Sequence, residues 1–62
     1  MMNGKEVIKI LENNGWSVLR VKGGHFRLGK SNKRTTVPVH GARDIGKGLI
    51  LAIEKQTGVK LI

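Results

Sequence analysis

The apolar spacing of this chain changes period twice within 62 residues, and that change limits the fold more than any other feature. Near the start, Val7, Ile8, Ile10 and Leu11 recur at helical spacing, while Lys5, Glu6, Lys9 and Glu12 fall elsewhere on the helix. From Trp16 to Val39 the pattern becomes that of short strands rich in β-branched residues and separated by glycine-containing breaks. Helical spacing then returns through Ile45, Leu49, Ile50, Ala52 and Ile53.

Local signals mark the boundaries. Asn3 suits an N-cap, and Glu6 stands three residues later, the spacing of a capping box. Asn13-Asn14-Gly15 stops the first helix, with Gly15 able to take the left-handed position after it. Trp16 to Val21 reads as the first strand, and Lys22-Gly23-Gly24 breaks it with a dipeptide suited to a tight hairpin. His25-Phe26-Arg27-Leu28 alternates as a half-buried strand does. Gly29 to Lys33 reads as a polar turn, and Arg34 to Val39 as a third strand, with Pro38 at an edge or near its end. His40 to Asp44 connects to a second helix from about Ile45 to Thr57, ended by Gly58. Gly46 and Gly48 would loosen its first turn, at about 1 kcal/mol each in a helix interior. Val59 to Ile62 is a short tail expected to pack back on the core.

Neither helix can bury its apolar stripe alone. Laying both on one face of the meander gives an α-β-β-β-α two-layer sandwich of the α+β class, one domain spanning residues 1–62. The other sheet face is then open to solvent. A chain this short has no room for separate cofactor and substrate halves. It has no cysteine, hence no disulfide framework and no thiolate chemistry. Small secreted domains usually need disulfides, so a cytoplasmic setting is expected. No apolar run approaches the ~20 residues that span a bilayer, and Met1-Met2-Asn3-Gly4-Lys5-Glu6 is not an apolar signal segment. With three Glu and one Asp, no carboxylate cluster is expected to hold a metal.

Twelve Lys+Arg stand against 4 Asp+Glu, a formal net charge of +8, spread along the chain rather than gathered in a tail. A folded basic surface of this kind points to a polyanionic partner, with nucleic acid ahead of a membrane surface or an acidic protein. Strand alternation places Phe26 and Leu28 toward the helices and His25 and Arg27 outward. On the third strand Val37 and Val39 point inward, and Arg34, Thr36 and Pro38 outward. His40 follows them outward if the alternation survives Pro38. Trp16, Val18, Leu19 and Val21 keep no single parity, and Arg20 and Lys22 are assigned outward. The open face therefore carries two imidazoles amid Arg and Lys.

Such a face fits RNA cleavage. RNA supplies its own nucleophile, the 2′-hydroxyl, so the protein need only move protons and hold charge. Imidazole transfers protons near neutral pH. Arg and Lys stabilise phosphoryl oxygens, and glycines let a phosphate backbone come close. On the residues alone, plainer readings stand beside this one. His25 can be an ordinary surface residue, Gly23-Gly24 only a turn, and Arg20, Lys22, Arg27 and Arg34 a solvated face. His40 can simply start a connection, and Trp16 reads as core rather than as a stacking platform.

Several segments together resemble the HicA-type toxins, the mRNA interferases of toxin–antitoxin pairs. Gly4 to Lys9 and Asn14-Gly15-Trp16 resemble the opening helix and its exit. Arg20-Val21-Lys22-Gly23-Gly24-His25-Phe26 is similar to the Arg-x-x-Gly-Ser-His region, and Val37-Pro38-Val39-His40-Gly41 to a Val-Pro-x-His stretch. Lys47-Gly48-Leu49 and Lys55-Gln56-Thr57-Gly58 resemble the ends of the second helix. The resemblance implies a double-stranded-RNA-binding-domain-like fold and endoribonuclease activity on mRNA; the chemistry read from the residues requires no metal, and no cofactor is expected. The resemblance implies one catalytic histidine, which by position is His25. It also implies a HicB-type antitoxin that masks the site. The chain departs from the pattern at Gly24, where the family commonly carries Ser. Arg20, Lys22, Gly23, Gly24, Arg27 and His40 are the candidates for RNA and phosphate binding, and His40 for a second proton-transfer group. The competing reading is a non-catalytic double-stranded-RNA-binding module working through Lys5, Lys9, Arg43 and Lys47. A third is an interaction element for an acidic protein.

Overall fold

The computed structural model describes residues 2–62. Its elements are α1 (Gly4–Asn13), β1 (Ser17–Lys22), β2 (His25–Lys30), β3 (Lys33–Pro38) and α2 (Lys47–Thr57). The strands form one antiparallel sheet in the order β1-β2-β3.

Both ends of α1 follow from side-chain chemistry. Asn3 Oδ1 accepts the Glu6 N–H at 2.9 Å, and Glu6 Oε1 accepts the Asn3 N–H at 2.9 Å, closing the capping box. At the other end Gly15 takes φ 90. Its N–H donates to the Glu12 carbonyl, and the Trp16 N–H donates to the Leu11 carbonyl at 3.0 Å. That pairing is a Schellman motif, and its usual apolar contact is supplied by Leu11 and Trp16, both buried. Lys30 Nζ also donates to the Asn14 carbonyl at 2.7 Å, a cation at the negative end of the helix.

The core sits between the helices and one sheet face. It joins Val7, Ile8 and Leu11 of α1, Leu28 and Val37 of the sheet, and Ile50 and Ile53 of α2. Trp16, Ile45 and Leu61 complete it, so the tail does pack back. Glu54 holds that tail, its Oε2 accepting the N–H groups of Leu61 at 2.6 Å and Ile62 at 3.0 Å. Trp16 is core, as expected, although its indole N–H has no partner among the described residues. No helix among the described residues is long and apolar enough to cross a membrane.

Several boundaries differ from the sequence reading, and β3 ends at Pro38 rather than Val39. Strand β2 runs through Lys30 and β3 starts at Lys33, so Gly29 is not in a turn. It pairs with Ser17 on one side and Arg34 on the other. Polarity misleads here because one sheet face is solvated, and the turn itself needs only Ser31, at φ 55, and Asn32. Helix α2 starts at Lys47 rather than Ile45. Gly46 is its N-cap and lies outside the helix interior, where a glycine costs little. Ile45 then precedes the cap and joins Ile50 in the core, the arrangement of a hydrophobic staple.

Strand β1 runs from Ser17 to Lys22 rather than from Trp16 to Val21, so Lys22 belongs to the strand, and its pairing is irregular. Its register against β2 shifts between Val18 and Arg20, leaving Leu19 as the extra residue of a bulge. The bulge explains why its apolar residues keep no parity. Val18 lies opposite Leu28 and Val21 opposite Phe26, while Arg20 lies opposite Arg27 and Lys22 opposite His25. The shift therefore turns Arg20 and Lys22 to the open face.

Candidate active site

The open face is built from all three strands. A concavity of about 650 Å³ is lined by Arg20 and Lys22 of β1, Gly23 of the hairpin, His25 and Arg27 of β2, and Thr36 of β3. Five of these were expected from the sequence. Thr36 was read as outward-facing but not as part of the site. It accepts a hydrogen bond from Arg27 Nη1 at 2.9 Å, which fixes one edge of that guanidinium. Cross-strand register was the missing signal, since Arg27 and Thr36 are direct partners.

The Gly23-Gly24 hairpin has the geometry its sequence demands. Both residues take positive φ, 55 and 82, as a two-residue type I′ turn requires between Lys22 and His25. Gly24 is constrained further, since a Cβ there would stand 3.0 Å from the Val39 carbonyl oxygen. A serine at this position would place the same Cβ against that oxygen.

His40 comes to the same end of the sheet. Pro38 pairs with His25 at the last rung of β2–β3, and the Val39 N–H then donates to the Gly24 carbonyl at 2.7 Å. The next residue is His40, exposed, its ring centroid 6.3 Å from that of His25 with the planes at 80°. His40 does not line the concavity but borders it through His25. Gly24 is half-buried and does not line it.

Arg34 does not join this cluster. Its Nη1 donates to the Ser31 carbonyl at 3.0 Å and the Lys33 carbonyl at 2.7 Å, so it braces the β2–β3 turn. Among the described residues no group of three or more His, Cys, Asp or Glu side chains converges as a metal site.

Fold and site together define a class: a small α+β domain whose second sheet face is a basic, histidine-bearing hollow. The chain belongs to the HicA toxin family of bacterial toxin–antitoxin systems, whose family model matches residues 4–59. It is 37% identical over 59 residues to a protein of Pseudomonas fluorescens (strain Pf0-1) named probable mRNA interferase HicA. That alignment covers 95% of this chain and 98% of the relative. No solved structure matches the chain significantly.

Proposed function

We propose that the chain is the toxin of a type II toxin–antitoxin pair and acts as a metal-independent endoribonuclease on mRNA, with His25 transferring a proton at the scissile phosphate. The observation that carries the reading is the convergence of one exposed imidazole with three cations in a single hollow, in a chain of the HicA family. Arg20 and Lys22 stand across the strand from Arg27 and His25, so a phosphate over His25 meets positive charge from two strands. Arg27, braced by Thr36, offers its remaining guanidinium donors to phosphoryl oxygens. The Gly23 turn presents no side chain, which lets a nucleic-acid backbone approach. A HicB-type antitoxin neutralises the toxin by covering this face.

The test is cleavage of RNA by purified protein in the presence of EDTA, together with growth arrest on expression. Wild type should cut RNA and arrest growth, and His25→Ala should do neither while keeping the fold. Full activity in His25→Ala would remove the assignment. Binding without cleavage by the wild type would instead favour the non-catalytic module.

A further inference from the structure

His40 stands beside His25 although the two belong to different segments, and local backbone structure holds them there. The residues that immediately precede them, Gly24 and Val39, are joined by the 2.7 Å hydrogen bond from the Val39 N–H to the Gly24 carbonyl. That bond carries the β2–β3 pairing one step beyond Pro38. On the far side the His40 carbonyl accepts the Arg43 N–H at 3.1 Å, so the chain turns directly after His40. The rings meet edge to face at 6.3 Å, and both residues are exposed.

Cleavage by the 2′-hydroxyl requires two proton transfers, one from the attacking oxygen and one to the leaving oxygen. Each transferring group has to come within about 3 Å of its oxygen. One phosphate resting over the paired rings is within reach of both. We infer that His25 and His40 form an acid–base pair, a reading that rests on the proposed function and deepens it.

In the step, O2′ attacks phosphorus while its proton passes to the neutral imidazole. The P–O5′ bond breaks, its electron pair goes to O5′, and O5′ takes a proton from the imidazolium. The products are a 2′,3′-cyclic phosphate and a 5′-hydroxyl, and the two rings have exchanged protonation states. Water restores them.

Arg20, Lys22 and Arg27 line the hollow with His25, and Arg43 and Asp44 follow His40 in the connection to α2. The first turn of α1 abuts Pro38 and Val39 at Gly4, and its charged residues are Lys5 and Glu6. None of these residue types titrates near neutrality, whereas imidazole does. A two-limbed pH profile of cleavage therefore reports on the two rings.

The experiment uses an RNA oligonucleotide built around a linkage that the wild type cuts, made once with the natural 5′-oxygen and once with sulfur in its place. Sulfur leaves without needing a proton. On the oxygen substrate, His25→Ala and His40→Ala should each lose roughly 10²–10⁴-fold in rate. The pH profile of His40→Ala should lose one limb. The sulfur substrate should restore whichever variant lacks the acid and leave the other impaired. The pair is overturned if His40→Ala keeps the wild-type rate and profile, or if sulfur restores both variants or neither. If His25→Ala is inactive while His40→Ala cuts normally, the pair falls and the assignment of His25 stands. If both cut normally, that assignment falls too.

Discussion

Gly24 tests how the hairpin holds the site together. It takes φ 82, and its carbonyl accepts the Val39 N–H at 2.7 Å. Its neighbour Gly23 takes φ 55 with open space around it, whereas a Cβ on Gly24 meets the Val39 carbonyl oxygen at 3.0 Å. Gly23→Ala therefore adds only the cost of a left-handed conformation, about 1–2 kcal/mol. Gly24→Ala adds that cost and also pushes on the Gly24–Val39 clasp, whose hydrogen bond is worth about 0.5–1.5 kcal/mol net. The difference between the two variants isolates the clasp. In a domain of this size each 1 kcal/mol shifts Tm by about 4–8 °C. Thermal unfolding followed by far-ultraviolet circular dichroism should thus place Gly24→Ala several degrees below Gly23→Ala, with Trp16 emission as a second probe. Gly24→Ser adds the same Cβ and should lie near Gly24→Ala. At a temperature where all variants are folded, the Gly24 variants should lose RNA cleavage. Equal Tm values for Gly23→Ala and Gly24→Ala, or a Gly24→Ala that is the more stable, would refute this account.

Two further perturbations address the tail and the charged face. The Glu54 carboxyl is held below its ordinary 4.5, first by the Ile62 N–H and then by the Leu61 N–H, with Lys60 adding a smaller pull and burial opposing. Its contribution is complete above 4.5 and disappears as pH falls through the lower folded value, so Tm should drop on acidification across that window more in the wild type than in Glu54→Gln. Arg20 lies directly opposite Arg27, and like charges so placed are destabilising. Arg20→Thr should raise stability by about 0.2–1 kcal/mol in urea unfolding, while reducing the salt slope of single-stranded RNA binding by about 0.7.

The sequence made the element order and most of the site legible because each rests on local chemistry. The capping box at Asn3 and Glu6, the Gly15 stop and the Gly23-Gly24 turn are all short-range devices, and each forms as read. The outward placement of His25 and Arg27 needed only the alternation of one strand. What stayed hidden depends on pairing between strands. The Leu19 bulge exists only relative to β2, so the mixed parity of β1 had no explanation within β1 itself. Lys30 and Lys33 read as turn residues because they are polar, yet they are the last rung of a hairpin. The Arg27–Thr36 bond and the approach of His40 to His25 likewise arise from register across β2–β3.

The two sheet faces divide the demands on this chain between them. The helix-side face carries the apolar contacts, with Leu28 and Val37 fully buried against α1 and α2. The open face carries a feature that opposes folding: Arg20 stands directly opposite Arg27. Unbound, that pair repels, and nothing in the core requires it. A phosphate laid over the hollow reverses the sign of that interaction, because each cation then faces an anion. The repulsion in the free protein thus becomes a preference for the bound state, and a partner carrying negative charge, whether RNA or an antitoxin surface, relieves it. The same division explains how 62 residues suffice. One face folds the chain, and the other is left open to a negatively charged partner.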